Sequence, residues 1–413
     1  MKIKIKKWQD LNWLLIGWIV SIVLVLINYQ RWSILILGFF VIYIATSGLN
    51  KNINTVVAFF KKHLLLDIYF GILTVSCVYN AYDFNSIIFS VMRVLALYGL
   101  ILFGYLISLK GERVSNMLRG FLIIIIVSFF FGIFQSLLGY NPFGELSDIV
   151  TQSVTRISSW YAHPIPCSCF FIVGVILCVN TIENPFIKVL ISFGIIYGII
   201  LTQSRSAWLI LIILFVIMLL NNFVNGRYNR YITKRKLVCF LVIVVLLFGV
   251  VFAAYEKILE LYSVILDRLF SKSISEDMSY TWRLMTINLF INNTSFFDLH
   301  TYFGHGYGAA SSLLANTTIS SKFTYNVAAT DNAYVSIFYD FGVFGFIGFV
   351  WIVFYSIRNL FRQKNIQRQY PYYILLVIML FSIFFDAPYW ISVGYLLAVF
   401  YGVSIYYSEC CKY

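Results

Sequence analysis

From Ala207 to Leu220 the chain runs without a charged or hydroxyl-bearing side chain, and stretches of this kind recur along almost its whole length. A helix needs roughly 20 apolar residues, about 17 to 25, to cross a bilayer. Runs of that character lie near 11–28, 32–47, 64–80, 85–109, 117–139, 164–181, 186–202, 206–222, 237–255, 333–357, 371–386 and 390–407. The chain is 61% hydrophobic and only 11% charged, where a typical globular protein is about 25% charged. That much apolar surface has no water-soluble core large enough to hide it. The expected fold is therefore all-α, a polytopic membrane protein of about twelve spanning helices.

The net charge of +13 does not imply a nucleic-acid partner. Its Lys and Arg residues gather in short clusters between the apolar runs, the distribution expected of positive-inside topology. Alternate segments take most of them: Lys2 to Lys7, Lys51 to Lys62, Lys110 to Arg119, Lys188, Arg227 to Lys236 and Arg358 to Arg368. Both termini are accordingly expected on the cytoplasmic side. The basic N-terminus leads into an apolar run with no small-residue cleavage site, so it reads as a retained first helix.

This topology divides the chain into helices one to nine (1–255, with a short outer loop at 140–163), a large extracytoplasmic loop (256–332) and helices ten to twelve (333–413). Polar positions 260, 263, 267 and 268 share one helical face, and a second helix is expected over Tyr280 to Ile291. The seven cysteines avoid the large loop, so no disulfide braces it. Cys167 and Cys169, near His163, fit no zinc spacing and read as packing residues.

Ionisable groups at the outer ends of helices are the candidates for chemistry. Arg205 lies in the polar tetrad Thr202-Gln-Ser-Arg205, where a tight turn or a snorkelling arginine is the plain alternative. Arg156 opens Arg-Ile-Ser-Ser-Trp-Tyr-Ala-His-Pro-Ile-Pro166, and its His163 suits a helix cap before Pro164. Arg283 sits on the expected second loop helix, where a solvated arginine would be ordinary. Gly304-His-Gly-Tyr-Gly308 lacks the βαβ setting of a nucleotide loop and reads as a backbone turn that lets sugar or phosphate approach Gly306. Asp331-Asn332 precedes the tenth helix, where either residue could be a cap. Arg93 and Asp340 lie inside apolar helices, where a charge needs a partner or water, and they could pair with each other.

The ordered series of the Arg156–Pro166 segment, the Thr202–Arg205 turn, the Arg283 helix, the Gly304–Gly308 turn and Asp331 to Gly345 resembles the O-antigen ligase and Wzy-type polysaccharide polymerase superfamily. The resemblance covers roughly residues 140–350. It implies a GT-C-like fold in a bacterial plasma membrane and metal-independent glycosyl transfer at the outer face, without cofactor. It also implies an undecaprenyl-diphosphate-linked oligosaccharide donor, with a chain-length regulator and a flippase of the same pathway as partners.

The matching motifs give Arg205 and Arg283 to the departing diphosphate, with Arg156, His163, Asn332, Gly306 and Arg93 holding substrate. In ligases of the family, a histidine followed by asparagine occupies the base position. Here Asp331-Asn332 stands there, which favours a polymerase of surface polysaccharide and leaves Asp331 as base or as positioning group. A ligase that moves glycan to a lipid, wall or protein acceptor is one alternative. A flippase is the other, although transporters carry their polar groups nearer mid-bilayer.

Overall fold

The computed structural model describes residues 54–80, 84–109, 111–139, 156–161, 163–225, 278–295, 297–316 and 330–410. The expected spans at 11–28, 32–47 and 237–255 lie outside the described residues, as does the expected surface helix at 257–270. Among the described residues the structure is helical throughout, with no strand. In chain order the helices are α1 (Leu64–Tyr79), α2 (Phe84–Ser108), α3 (Gly111–Leu138), α4 (Pro164–Thr181), α5 (Pro185–Leu201) and α6 (Arg205–Val224). They continue with α7 (Met278–Asn292), α8 (Leu299–Phe303), α9 (Ala309–Asn316), α10 (Ala333–Arg362), α11 (Tyr370–Phe381) and α12 (Ile391–Glu409). By length and composition, six of these (α2, α3, α4, α6, α10 and α12) can cross a membrane, and α1, α5 and α11 are shorter apolar helices. The bundle is a multi-pass membrane fold.

Helix starts follow local chemistry. Asn184 caps α5 by accepting from the amides of Phe186 and Ile187, and Pro185 fills the first turn, where a missing N–H costs nothing. Ser204 caps α6, and His163 caps α4 through its ring. In each case the side chain replaces the partner that the first helical amides lack.

Contacts at the two ends set the helix directions. At one end Glu409, closing α12, meets Lys62 at 2.8 Å, His63 at 3.0 Å and Tyr105 of α2 at 3.0 Å. Tyr370 of α11 reaches Tyr407 of α12 there at 3.3 Å, and Asn221 of α6 donates to Gln369 and Tyr373 at 2.9 Å each. Lys61, Lys62, Arg113, Lys188, Arg358, Arg362, Lys364 and Arg368 fall toward this end. The other end gathers the close of α3, α5 and α11 with the start of α4, α6, α10 and α12. Arg156, Arg205 and Arg283 lie toward that second end.

Packing depends on small residues where helices approach. A Cβ added at Gly402 of α12 would collide with the backbone carbonyl of Ile101 on α2, and one at Gly104 would collide with that of Val399. In lipid, close backbone approach through small residues is a main source of helix association. Cys77, Cys167, Cys169 and Cys178 are buried free thiols within this packing.

Two helices depart from the sequence expectation. The apolar run expected as a helix over 371–386 stops at Phe381, and Ala387–Tyr389 form a separate 3₁₀ turn with Pro388 within it. The chain continues as an irregular connection through Trp390. In α10 the helix kinks at Gly342, whose φ is +67°. The α8 segment enters the kink: a Cβ on Gly342 would strike the Tyr302 carbonyl, and one on Gly304 would strike that of Asp340.

Gly402→Ala is expected to lower the thermal unfolding midpoint of the detergent-solubilised protein, since overpacking costs about 1–3 kcal/mol. Gly71→Ala, at a helical site with open space around it, should be neutral or stabilising by up to about 1 kcal/mol. Equal midpoints for the two variants would remove the close α2–α12 contact from the account.

Candidate active site

The segment from Arg156 to His163 is held before its functional side chains are considered. Gln135 of α3 accepts from the amides of Ser158 and Ser159 at 3.1 and 2.8 Å, and Ser159 Oγ donates to the Ser128 carbonyl at 2.8 Å. Next to it, Ile157 N donates to the Leu201 carbonyl at 3.2 Å and Arg156 Nε to the Thr202 carbonyl at 3.1 Å. These bonds bring Arg156 to the turn that carries Arg205. Thr202, Gln203 and Ser204 are buried in that turn, whereas Arg205 is exposed at the first position of α6.

His163 lies flat against Phe385, with ring centroids 5.5 Å apart and planes 11° from parallel, and near Trp390 at 6.2 Å. Its Nδ1 accepts from the Ile165 amide at 3.2 Å, so in the neutral ring the proton sits on Nε2. Burial, followed by the Arg156 charge, pushes its pKa down to about 4. At neutral pH His163 is thus a hydrogen-bond donor through Nε2 rather than a cation.

Arg283 projects from α7, within one residue of the expected helix bounds at its C-terminal end. It donates from Nη2 to the Phe384 carbonyl at 3.2 Å and lies over the Phe384 ring at 6.0 Å. Its Nε–H is buried and, among the described residues, has no hydrogen-bond partner. Asp331 feels this guanidinium. Desolvation raises the Asp331 carboxyl to about 6, with Arg283 opposing the rise and Asp386 adding to it. Asn332 serves as the α10 cap, accepting from Tyr334 N at 3.0 Å and Val335 N at 3.4 Å. The capping alternative for the pair therefore falls to Asn332, and Asp331 has its carboxyl left over.

A second cluster adjoins the first. Fully buried Asp340 accepts from Gly308 N at 2.7 Å, Ala310 N at 2.8 Å and the Tyr389 hydroxyl at 2.7 Å. The carbonyls of Tyr339 and Asp340, which continuing helix would engage, accept instead from His305 N at 3.0 Å and Gly306 N at 2.9 Å. Arg93 donates to the Tyr389 carbonyl and lies 4.7 Å over the Tyr307 ring. The expected Arg93–Asp340 pairing is not the one formed: among the described residues the two are linked through Tyr389, with no ion pair between them. Gly306 is buried, with φ +92° and Asn80 against it. Its turn is held by α10 and α1, while Gly308, at φ +81°, has open space beside it.

Both clusters meet at the irregular connection Phe384–Trp390, which apolar length alone reads as the end of one helix and start of the next. Phe384 takes Arg283, Phe385 and Trp390 flank His163, Asp386 holds Thr330, and Tyr389 joins Asp340 to Arg93. An acidic residue amid apolar neighbours, Asp386 in Ile383-Phe-Phe-Asp-Ala-Pro388, is the signal that could have found it.

Backbone strain marks the same places. Among the described residues, the non-glycine positions with positive φ are Ser159 (52°), Gln203 (51°) and Asp331 (55°). One falls in each of the three segments carrying Arg156, Arg205 and Asp331. Non-glycine residues seldom adopt this conformation, and it persists only where surroundings impose it. Among the described residues no group of three His, Cys, Asp or Glu side chains could hold a metal ion.

Residues 189–350 match the O-antigen ligase family. That stretch runs from α5 to the middle of α10 and contains Arg205, Arg283, Gly306, Asp331 and Asn332; Arg93, Arg156, His163 and the 384–390 connection lie outside it. No curated protein matches the chain.

Asp340→Ala would strip the acceptor from two backbone amides and a tyrosine hydroxyl, each costing about 1–3 kcal/mol when left buried. Amide hydrogen exchange at Gly308 and Ala310 should accelerate strongly in this variant. Unchanged protection there would mean that the carboxylate does not hold the glycine turn.

Proposed function

We propose that this chain, whose residues 189–350 match the O-antigen ligase family, joins lipid-diphosphate-linked oligosaccharide repeats into surface polysaccharide at the outer face of a bacterial plasma membrane. The observation that carries this reading is the gathering of Arg156, the Arg205 turn, His163, Arg283 and Asp331 around one end of the bundle. The lysine- and arginine-rich opposite end supports a cytoplasmic assignment for that face, with the candidate site outside.

In the reaction, an acceptor hydroxyl oxygen forms a new bond to the anomeric carbon of the donor sugar as the bond from that carbon to the diphosphate oxygen breaks. The electron pair leaves with the diphosphate, and the hydroxyl proton must be removed. Fixed guanidinium groups suit the first demand, because they meet phosphate oxygens with paired donors and need no reorganisation as charge develops. Arg283 fits this role: its Nη2 is tethered to a backbone carbonyl while its Nε–H remains unengaged. Arg205 and Arg156 border the same region from the α5–α6 turn. Asp331 suits the second demand. A carboxyl raised to about 6 is ionised at neutral pH yet basic enough to take a proton. His163 then serves as a neutral donor to a sugar hydroxyl or phosphate oxygen, and Arg93 with Gly306 steadies the neighbouring wall.

An acidic residue before Asn332 favours polymerase over ligase, and products separate the two. Purified protein given a lipid-linked repeat unit should yield a ladder of multimers. Transfer only to a second, unlike acceptor means a ligase, and movement across the bilayer without reaction means a flippase.

Arg205→Ala and Arg283→Ala are expected to insert normally and lose long chains, with rate losses of about 100-fold or more as for other preorganised charge donors. A full ladder from either variant would take that arginine out of the mechanism.

The pH profile tests Asp331 with a definite sign. If its carboxylate takes the proton, the rate should rise about tenfold per pH unit up to about 6 and then level off, because only the ionised form is competent. Asp331→Asn should flatten this limb and cut the rate; an unaltered profile in that variant would argue for a positioning role alone.

A further inference from the structure

We propose that Asp386 is a positioning residue for the transfer reaction, acting by clamping the Thr330-Asp331 backbone so that the Asp331 carboxylate faces Arg283. This inference rests on the reading of Asp331 as the group that receives the acceptor proton.

The geometry is unusually complete for a residue between two helices. Asp386 Oδ2 accepts from the Thr330 amide at 2.9 Å. Oδ1 lies 2.7 Å from Thr330 Oγ1 and 2.8 Å from Ser336 Oγ. Thr330 Oγ1 in turn accepts from Asn332 N at 3.1 Å and lies 2.6 Å from Ser336 Oγ. One backbone amide and two hydroxyls therefore converge on one side chain, from the segment that leads into α10 and from the first turn of α10 itself.

That convergence explains how Asp331 keeps a φ of 55°. The left-handed conformation is unfavourable for most L-residues and is retained only when neighbours over-determine it. Amides aimed at a carboxylate are among the stronger hydrogen bonds available for the purpose. With the Thr330 amide and hydroxyl turned toward Asp386, the Asp331 side chain is left to feel Arg283 on α7. Thr286, three residues on from Arg283, places its hydroxyl 3.5 Å from the Thr330 carbonyl, so the clamp joins both sides of the pair. Both Asp386 oxygens are engaged by the protein. Its part is to hold rather than to react.

The test compares purified full-length wild type, Asp331→Asn, Asp386→Asn and the double variant. The Asp386→Asn substitution keeps the size of the side chain but removes its charge and one of its two acceptor oxygens, so the charge-assisted bonds from the Thr330 amide and the two hydroxyls are lost. Asp386→Asn is expected to lower kcat by roughly 10- to 100-fold, as a misplacement of the reacting group by about 1 Å can do, with the KM for the lipid-linked donor nearly unchanged. The double variant should be no slower than Asp331→Asn alone, since a residue that acts through Asp331 has nothing left to act on.

Losses that multiply, or an Asp386→Asn enzyme at wild-type speed, would overturn the proposal. Amide hydrogen exchange at Thr330, whose N–H bonds to Asp386, gives a readout independent of turnover: it should accelerate in Asp386→Asn, and unchanged exchange likewise refutes the clamp. If Asp386→Asn does not yield folded protein, Thr330→Val removes one arm and is judged by the same rates and exchange. A wild-type protein that joins no repeats would sink the polymerase reading, while the exchange measurement would still decide the clamp.

Discussion

Backbone amides and carbonyls near hydrocarbon must be paired, and the structure is organised around the few places where helices do not pair them. α10 breaks at Gly342, α11 stops at Phe381, and the chain between α11 and α12 is irregular. An unpaired group at membrane depth costs several kcal/mol, so each break recruits its own partners. The Tyr339 and Asp340 carbonyls take amides from the glycine turn, the Ser382 carbonyl takes the Ala333 amide at 2.8 Å, and the Phe384 carbonyl takes Arg283. Polar groups thus enter the apolar bundle as a requirement of the backbone, and the candidate site grows from them.

This constraint explains why loop and helix are inseparable here. Gly304 and Gly342 both have positive φ and approach each other's backbone too closely for any Cβ. Asp340 then caps the amides of 308 and 310 from inside α10. A carboxylate that would be costly alone in an apolar helix becomes the anchor of the Gly304–Gly308 turn. The same logic holds on the other side, where Asp386 fastens the start of α10 to the α11–α12 connection.

Much of this is legible in the sequence, for reasons that can be named. Helix positions follow from apolar length, and α4, α5 and α6 fall within about a residue or two of their expected bounds because caps and prolines stand at their starts. Asp331 and Asn332 cannot be told apart by sequence, since both are good caps; the backbone conformation at 331 separates them. The expected Arg93–Asp340 pair rests on cost alone, and cost does not specify a partner: Tyr389, two backbone amides and an aromatic ring satisfy the two charges separately. The role of Asp386 is hidden from a hydropathy reading, which carries a helix on through position 386, whereas the helix ends at Phe381.

The arrangement also bears on how a site could distinguish the resting from the reacting charge distribution. Arg283 is held at one nitrogen and unengaged at another, and the carboxyl beside it is raised by desolvation rather than lowered into a tight ion pair. A short Arg–Asp salt bridge would cancel both charges and leave little attraction for an anion. Keeping Asp331 partly proton-avid while fixing its backbone elsewhere preserves the guanidinium's pull on incoming negative charge. The clamp at Asp386 would then serve a specific electrostatic end: it sets the separation between a cation meant for a diphosphate and a carboxylate meant for a hydroxyl proton, two groups that would otherwise collapse onto each other.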